Sequence, residues 1–268
     1  MVIFFTLPPC RIKYPYVLIN SHNPKHGLGY IVKCGHVKHV RKVIIDSGVE
    51  VFRSIYVKEY PGGRKRHIAS QNLLYWRMKN LLRKAEIYVT IPDYPDDYHP
   101  KNLWISENKT NIERTIENIL YAIEKYPNVK WLIPIQGHNR KPKSLIRFLN
   151  LLKEHGFDFE KYDYYAVANL CVERNVEIIK FGVQYVYSWF KENLGYVPKL
   201  HVFGLKINAL KYIRHFIFSF DSMAWTRPVS SMLHSKYPFS CKNEKQRELF
   251  FAEYIKVLKK YGVEVENI

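Results

Sequence analysis

Residues 216–227 read FIFSFDSMAWTR and place a carboxylate at the end of an apolar run, with an arginine in the loop that follows. Nearly continuous apolar character is typical of a strand that is buried on both faces of a parallel sheet. A second acidic strand end lies far upstream, where residues 43–48 read VIIDSG. Two carboxylates facing one pocket are the minimum equipment for cutting and remaking a glycosidic bond. The function therefore depends on whether Asp46 and Asp221 belong to one site.

Eight short runs rich in β-branched and aromatic residues recur along the chain, and helical patterns separate most of them. The predicted strands are residues 2–6, 16–20, 43–46, 87–91, 131–135, 164–168, 200–203 and 216–220. The predicted helices are residues 70–84, 111–126, 143–155, 176–193 and 244–260. Strands that alternate with helices predict a (β/α)8 barrel. No repeat or Ser/Gly linker divides the chain, so residues 1–268 are predicted to form a single domain.

The chain is strongly basic, with 42 Lys and Arg against 24 Asp and Glu and a formal charge of +18. Such an excess attracts phosphate backbones, which favours a nucleic acid as partner. The alternative is a general basic bias of the proteome from which the chain comes.

The four cysteines, Cys10, Cys34, Cys171 and Cys241, lie far apart without a C-x-x-C pair. This spacing predicts neither a disulfide framework nor a zinc ribbon, and it fits a reducing compartment. No apolar run approaches the length of a membrane span. We therefore expect a soluble protein of the cytoplasm, or of the host cytoplasm if the chain is viral, with no membrane partner.

Most of the predicted strands end in polar residues or glycine, at the edge where such a barrel places its active site. These ends are 46–48 (DSG), 92–95 (PDYP), 136–138 (QGH), 169–171 (NLC), 204–206 (GLK) and 221–222 (DS). Each also has a structural interpretation, since Asp-Tyr-Pro is a common turn, the glycines form tight turns, and Asn169 is a suitable helix cap.

The residue types suit the exchange of a purine base. One carboxylate acts as the nucleophile towards the sugar, and another carries the proton of the departing and arriving base. Asp93 is suited to accept hydrogen bonds from a guanine N1–H and amine, and the Gln136 amide to donate to O6. Backbone groups at Gly137 and near Asn169 would complete the set. Tyr94, Phe52 and Met223 are candidates for the faces that contact the ring.

The order of these motifs is similar to that of one enzyme family. The matching segments are Asp46-Ser47-Gly48, Asp93, Gln136-Gly137, Asn169, Gly204 and Phe220-Asp221 with Thr226-Arg227. In this order the chain resembles the tRNA-guanine transglycosylase superfamily, and most closely its short branch that inserts 7-deazaguanines into DNA in phages, archaeal viruses and genomic islands. The resemblance extends over roughly residues 40 to 230.

The resemblance implies Asp221 as nucleophile, Asp46 as general acid and base, and Asp93 as reader of the base. Ser47, Gln136, Gly137, Asn169 and Gly204 are then substrate-binding residues. The chain departs from the family pattern at Val49, which replaces a glycine, and at Glu50, which replaces a stacking aromatic whose role falls to Phe52. The tRNA enzymes of the family carry a C-x-C-x-x-C…H zinc site after the last strand. In this chain the only cysteine and histidine after Asp221 are Cys241 and His234, which are too few ligands for a closed zinc site. No metal and no other cofactor is therefore expected.

The expected partners are a nucleic acid, with DNA favoured over tRNA, and a free 7-deazaguanine base as co-substrate. Arg227 and Lys206 are the predicted contacts beside the target nucleotide, and the run Arg64, Lys65 and Arg66 is predicted to bind flanking phosphates. Three alternatives remain: a tRNA enzyme, a catalytically silent nucleic-acid-binding barrel, and a hydrolase that uses water as acceptor. The oligomeric state and the incoming base are left open by the sequence.

Overall fold

The computed structural model describes residues 2–22, 24–54, 56–95, 109–138, 140–171, 173–226 and 243–265. The strands are β1 (Val2–Phe5), β2 (Tyr16–Asn20), β3 (Lys42–Asp46), β4 (Glu86–Thr90), β5 (Trp131–Ile135), β6 (Tyr164–Val167), β7 (Lys199–Val202), β8 (Ser219–Asp221) and β9 (Val263–Glu264). The helices are α1 (Pro24–Lys33), α2 (Arg64–Leu81), α3 (Asn111–Lys125), α4 (Ser144–Glu154), α5 (Val176–Leu194), α6 (Ile207–Ile213) and α7 (Glu244–Lys260). Short 3-10 turns lie between them, among them residues Val49–Arg53 after β3.

The strands form one sheet in the order β2-β3-β4-β5-β6-β7-β8-β1-β9, and neighbouring strands pair in parallel. The sheet curls so that its edges approach, and Thr6 forms a single parallel bridge with Val17 of β2. Because Val2 and Ile3 pair with β9, no continuous ladder joins β1 to β2 in the described residues. The predicted α/β fold is thus confirmed, but the sheet is a curled half-barrel rather than the predicted closed barrel.

The core of the fold lies on both faces of the sheet. All residues of β1, β5 and β6 are buried, as their apolar sequences predict. A single large cluster of buried side chains joins the strands to the helices that cover them. Such strands tolerate polar groups only at their ends or where a partner side chain satisfies them, which confines the polar chemistry to the carboxyl edge of the sheet.

Most predicted elements are present with small shifts of their ends. Two short helices, α1 and α6, and the strand β9 were not predicted. Helix α2 begins at Arg64, well before the predicted start at residue 70, so the basic run Arg64, Lys65 and Arg66, which is predicted to bind flanking phosphates, forms its first turn. Gly195 ends α5 in a left-handed conformation, which glycine adopts readily at the C-terminus of a helix.

A disulfide joins Cys10, in the segment after β1, to Cys34, just after α1. It contradicts the expectation that the cysteines are unpaired. The pairing was hidden because the two residues are 24 positions apart in sequence and meet only when α1, which packs against β2, returns to the segment between β1 and β2. Disulfides are rare in reducing compartments, so this bond does not support the predicted compartment.

None of the helices in the described ranges combines the length and the apolar character needed to cross a lipid bilayer.

Removing the disulfide should destabilise the fold. In the chain-entropy account, a bridge of this span contributes about 2–4 kcal/mol by restricting the unfolded chain. The double variant Cys10→Ser, Cys34→Ser should lose about that much free energy of unfolding in urea titrations. Reductant should lower the stability of the wild type to the level of the variant and leave the variant unchanged. Equal stability of oxidised and reduced wild type would show that the bond does not form.

Candidate active site

A cavity of about 690 Å³ opens at the carboxyl edge of the sheet, where the loops after successive strands meet. Parallel pairing brings these strand ends together, which is why chemistry in such folds concentrates there. The predicted site residues that line the cavity are Asp46, Ser47, Asp93, Asn169, Gly204, Lys206 and Asp221. The sequence motifs at the ends of β3, β4, β6, β7 and β8 therefore belong to one site.

Asp221 is the last residue of β8 and is held through one of its two oxygens. The ring Nε2 of His201 lies 3.1 Å from Oδ1, and the backbone N–H of Gly204 donates to the same atom at 3.0 Å. Gly204 has φ +59°, and an added Cβ would lie 2.5 Å from Cys171 Sγ, so glycine is required at this donor. Within the described part of the chain, no hydrogen bond engages Oδ2 of Asp221, which leaves that oxygen for chemistry.

Asp46 ends β3, and its Oδ1 accepts a 2.8 Å hydrogen bond from the backbone N–H of Ser47. Burial raises the pKa of the Asp46 carboxyl well above its usual range, and the negative charges of Glu50, Asp221 and Asp93 raise it further. Such surroundings favour the protonated form of a carboxyl group. Asp46 is therefore equipped to act as an acid in the cavity that Asp221 also lines.

Asp93 is buried in the loop after β4. Burial raises its pKa to about 6, although a hydrogen bond from the Ser47 side chain opposes the shift. The Tyr60 hydroxyl donates to the Asp93 carbonyl at 2.7 Å, and the next backbone N–H, that of Tyr94, donates to Thr115 Oγ1 at 3.0 Å. These bonds fix the loop, so the carboxyl is presented to the cavity from a rigid position.

Asn169 lines the cavity in a left-handed backbone conformation, with φ +63°. Its Oδ1 accepts from the backbone N–H of Gly137 at 3.0 Å. Its Nδ2 is buried and finds no acceptor in the described residues. An unpaired buried donor costs about 1–3 kcal/mol, and such costs concentrate at binding sites. Asn169 therefore offers a side-chain donor, whereas the Gly137 N–H is already used and is not available to a ligand.

Two predicted base contacts, Gln136 and Phe52, do not line the cavity. Gln136 is fully buried, and its Nε2 donates to the Tyr94 carbonyl at 3.1 Å, so it supports the loop that carries Asp93. Phe52 is fully buried between Tyr60 and Tyr94, with ring centroids at 4.9 and 5.7 Å. The geometry does not support a stacking role for Phe52 or for Tyr94.

The apolar faces of the cavity come instead from Phe203, which follows β7, and from Met223, which is 57% exposed. Met223 was one of the candidates named from the sequence, and Phe203 was missed. Their side chains lie on the cavity near the end of β8, where a flat heterocycle next to Asp221 would need contacts.

Basic side chains surround the mouth of the cavity. Lys206 lines it, and its Nζ donates to the Cys171 carbonyl at 2.9 Å. Arg53 and Arg174 also line it and are exposed, and their guanidinium groups have no partner in the residues that the structure describes. Arg227 lies outside the described residues.

The predicted phosphate run is placed differently. Arg64 forms an ion pair with Glu117 of α3, and Lys65 Nζ lies 5.4 Å from the centroid of the Tyr121 ring. These contacts are with α3 rather than the cavity, and Arg64, Lys65 and Arg66 are absent from the cavity wall.

Among the described residues, no group of three or more His, Cys, Asp or Glu is arranged to hold a metal ion. His234 and Cys241, whose metal role the sequence left open, lie outside the described ranges.

The structure adds a histidine that sequence reasoning missed. His201 in β7 is fully buried and links Asp221 to Ser219, whose Oγ lies 2.7 Å from His201 Nδ1. Ser219 also bonds the hydroxyl of Tyr164 in β6. The available signal was a histidine within the otherwise apolar run of residues 200–203, opposite a serine in the next run. Buried polar residues in central strands require partners, and these partners lead to Asp221.

Comparisons with known proteins were made for the whole chain. No model of a known protein family matches it, and no curated protein matches it either.

Proposed function

We propose that this chain is a guanine transglycosylase that exchanges guanine for a 7-deazaguanine base in DNA. In this proposal the curled sheet is a variant of the (β/α)8 barrel and holds the active site at its carboxyl edge. The observation that supports this most directly is that Asp221, Asp46 and Asp93 line one cavity, in which the pKa of Asp46 is raised well above its usual range and that of Asp93 is raised to about 6. Base exchange requires a nucleophile, a proton carrier and a base reader, and each of these roles needs a different protonation behaviour.

In the first half-reaction, Oδ2 of Asp221 attacks C1′ of the target nucleotide. The C1′–N9 bond breaks, and its electron pair leaves with guanine, which takes the proton of Asp46. A covalent ester between Asp221 and the sugar results. In the second half-reaction, the incoming base loses a proton to Asp46 and attacks C1′, and the ester bond electrons return to Asp221. Two inversions at C1′ retain the configuration of the sugar.

The base would be read by a carboxylate and an amide. Ionised Asp93 accepts from guanine N1–H and the exocyclic amine, and Asn169 Nδ2 donates to a ring or carbonyl acceptor. Asn169 thus takes the donor role that the sequence assigned to Gln136. Phe203 and Met223 supply the apolar contacts with the faces of the base.

A stacked base cannot reach this cavity, so the target nucleotide must be flipped out or already single-stranded. Flipping costs a few kcal/mol, which phosphate contacts made by a chain of formal charge +18 would offset. Arg53 and Arg174 at the mouth are placed to bind the phosphates that flank a base inside the cavity. DNA is preferred over tRNA because the chain lacks the C-x-C-x-x-C sequence of the tRNA enzymes.

The decisive test is incorporation of labelled guanine into polymer. Wild-type protein should transfer label to DNA and not to tRNA, and Asp221→Asn should lower the rate by about a thousandfold or more, since it removes the nucleophile. Asp46→Asn should also lower the rate strongly. DNA affinity, measured by fluorescence anisotropy, should remain close to that of wild type for both variants.

A matched control is Asp163→Asn, which neutralises an exposed aspartate that precedes β6 at the opposite edge of the sheet. It should retain wild-type exchange. Labelling of tRNA alone would move the substrate to RNA, and release of guanine without any incorporation would make the protein a hydrolase. Full exchange by Asp221→Asn would remove the assignment of the nucleophile.

Base recognition should depend on pH through Asp93. The raised pKa of about 6 means that the carboxylate that accepts guanine hydrogen bonds predominates only above that pH. The KM for free guanine should therefore fall as the pH rises through about 6 and level off above it. Asp93→Asn should raise KM and remove this dependence, while Asp163→Asn should keep it. A KM that stays flat for the wild type across this range would place base recognition elsewhere.

The two arginines at the mouth should dominate the salt dependence of DNA binding. Removing one cation that neutralises a phosphate lowers the slope of log K against log salt by about 1. Arg53→Gln with Arg174→Gln should therefore lower the slope by about 2. The matched control is Arg83→Gln with Lys84→Gln, two exposed cations at the opposite edge of the sheet, which should leave the slope unchanged. Equal effects of both pairs would mean that the DNA does not pass over the cavity mouth.

A further inference from the structure

We propose that His201 is a positioning residue that, through Ser219 and Tyr164, holds one oxygen of Asp221 and presents the other as the attacking atom. This inference rests on the proposed role of Asp221 as nucleophile. It concerns three buried side chains on neighbouring strands, none of which lines the cavity.

The chain of contacts is continuous across the inside of the sheet. The Tyr164 hydroxyl bonds Ser219 Oγ, Ser219 Oγ lies 2.7 Å from His201 Nδ1, and His201 Nε2 lies 3.1 Å from Asp221 Oδ1. His201 and Ser219 are direct neighbours in the parallel register of β7 and β8. The spacing of the two strands therefore sets the contact, and no loop has to move to form it.

The proton directions follow from the ends of this chain. Ser219 Oγ is the hydrogen-bond partner of the Tyr164 hydroxyl in the described residues, and burial raises the pKa of that hydroxyl, so Tyr164 donates its proton to Ser219. Ser219 has one proton, which it then gives to His201 Nδ1 as acceptor. With Nδ1 as acceptor, the ring carries its proton on Nε2, where it donates to Asp221 Oδ1. A histidine with the other tautomer would set a lone pair against that carboxylate.

Aromatic rings fix the orientation of the imidazole. Phe5 and Tyr164 meet it edge-on, with centroids at 6.0 and 6.4 Å, and Phe203 lies at 4.7 Å. Phe203 also lines the cavity, so the same ring that would contact a base also packs against His201. This enclosure excludes water from the contact and keeps Nε2 directed at Asp221.

Both donors to Asp221, from His201 and from Gly204, bind Oδ1. Oδ2 is therefore the nucleophile, and Oδ1 becomes the carbonyl oxygen of the sugar ester. When the incoming base attacks C1′, the C1′–Oδ2 bond breaks and negative charge returns to the carboxylate. Two fixed donors on Oδ1 stabilise that charge, so they favour the second half-reaction. In the first half-reaction the same two donors hold the carboxyl group so that Oδ2 is directed at C1′.

A pair of amide substitutions separates this role from simple packing. In His201→Gln the amide nitrogen reaches the position of Nε2 and still donates to Asp221, whereas in His201→Asn the shorter side chain reaches only the position of Nδ1. His201→Leu has no donor at all. Loss of one donor to an oxygen on which negative charge develops costs about a hundredfold to a thousandfold in rate, and on Oδ1 of Asp221 this charge develops in the second half-reaction.

The readout is the single-turnover rate at which added free base releases DNA from its covalent adduct with Asp221. His201→Gln should stay within about tenfold of wild type, and His201→Asn and His201→Leu should fall by about a hundredfold or more. DNA affinity and KM for guanine should be unchanged in all three. Equal rates for the Gln and Asn variants, or a wild-type rate for the Leu variant, would overturn the proposal.

A second measurement does not depend on activity. In protein with 15N-labelled histidine, the His201 ring signals, identified by their loss in His201→Gln, should show a proton on Nε2 and none on Nδ1. Ser219→Ala should perturb the Nδ1 signal. Protonation of Nδ1 in the wild type would disprove the proposed hydrogen bond from Ser219 to His201 even if the enzyme is active. If the wild type forms no DNA adduct, the proposed function is wrong. The spectra still test whether His201 accepts from Ser219 and donates to Asp221.

Discussion

Parallel pairing of the strands is the constraint on which the rest of this structure depends. It points the carboxyl ends of β3, β4, β6, β7 and β8 to one edge, and it requires both faces of the sheet to be buried. Polar groups can then survive only at that edge or in pairs within the sheet. The cavity at the edge and the hydrogen-bonded chain of Tyr164, Ser219 and His201 within the sheet both follow from this restriction on polar groups. Asp46 and Asp221 lie at the exposed edge, and His201 lies within the sheet because Ser219 and Asp221 satisfy both of its ring nitrogens.

The carboxyl groups around the cavity lower the free energy of unfolding, and the same burial and mutual repulsion raise the pKa of Asp46 in the site. The pKa of Asp46 is raised in the folded protein, so the folded state favours the protonated form more than the unfolded chain does. As the pH rises from the unfolded pKa towards the folded one, the unfolded chain releases its proton first and stability falls. Above that range the penalty is complete. The buried donor of Asn169 adds a cost of the same kind. Such costs are the usual mark of a site that a ligand completes.

The sequence predicted the strand ends well because a buried strand ends visibly where its apolar run ends. Asp46, Asp93, Asn169 and Asp221 were found in this way, and all four line the cavity. The direction of a loop side chain has no such periodicity, which is why Phe52 was expected on the cavity and instead packs beneath it. The bond between Cys10 and Cys34 and the pairing of β9 with β1 arise from contacts between distant segments that no local pattern reveals. His201 was overlooked because a histidine in an apolar run becomes interpretable only when its neighbours in the adjacent strands are known.

The distribution of charge reconciles an acidic cavity with the polyanionic partner that we propose. Four carboxyl groups, those of Asp46, Glu50, Asp93 and Asp221, line the same space as Arg53, Arg174 and Lys206. If all four were ionised, they would repel an approaching phosphate chain. The raised pKa of Asp46 favours its uncharged form, and Asp93, with a pKa of about 6, loses its charge only below that pH, while the cations stay at the mouth. In the proposed exchange, burial of Asp46 keeps a proton available for the leaving base. The reduced negative charge of the floor lets the basic mouth set the field that the nucleic acid meets first.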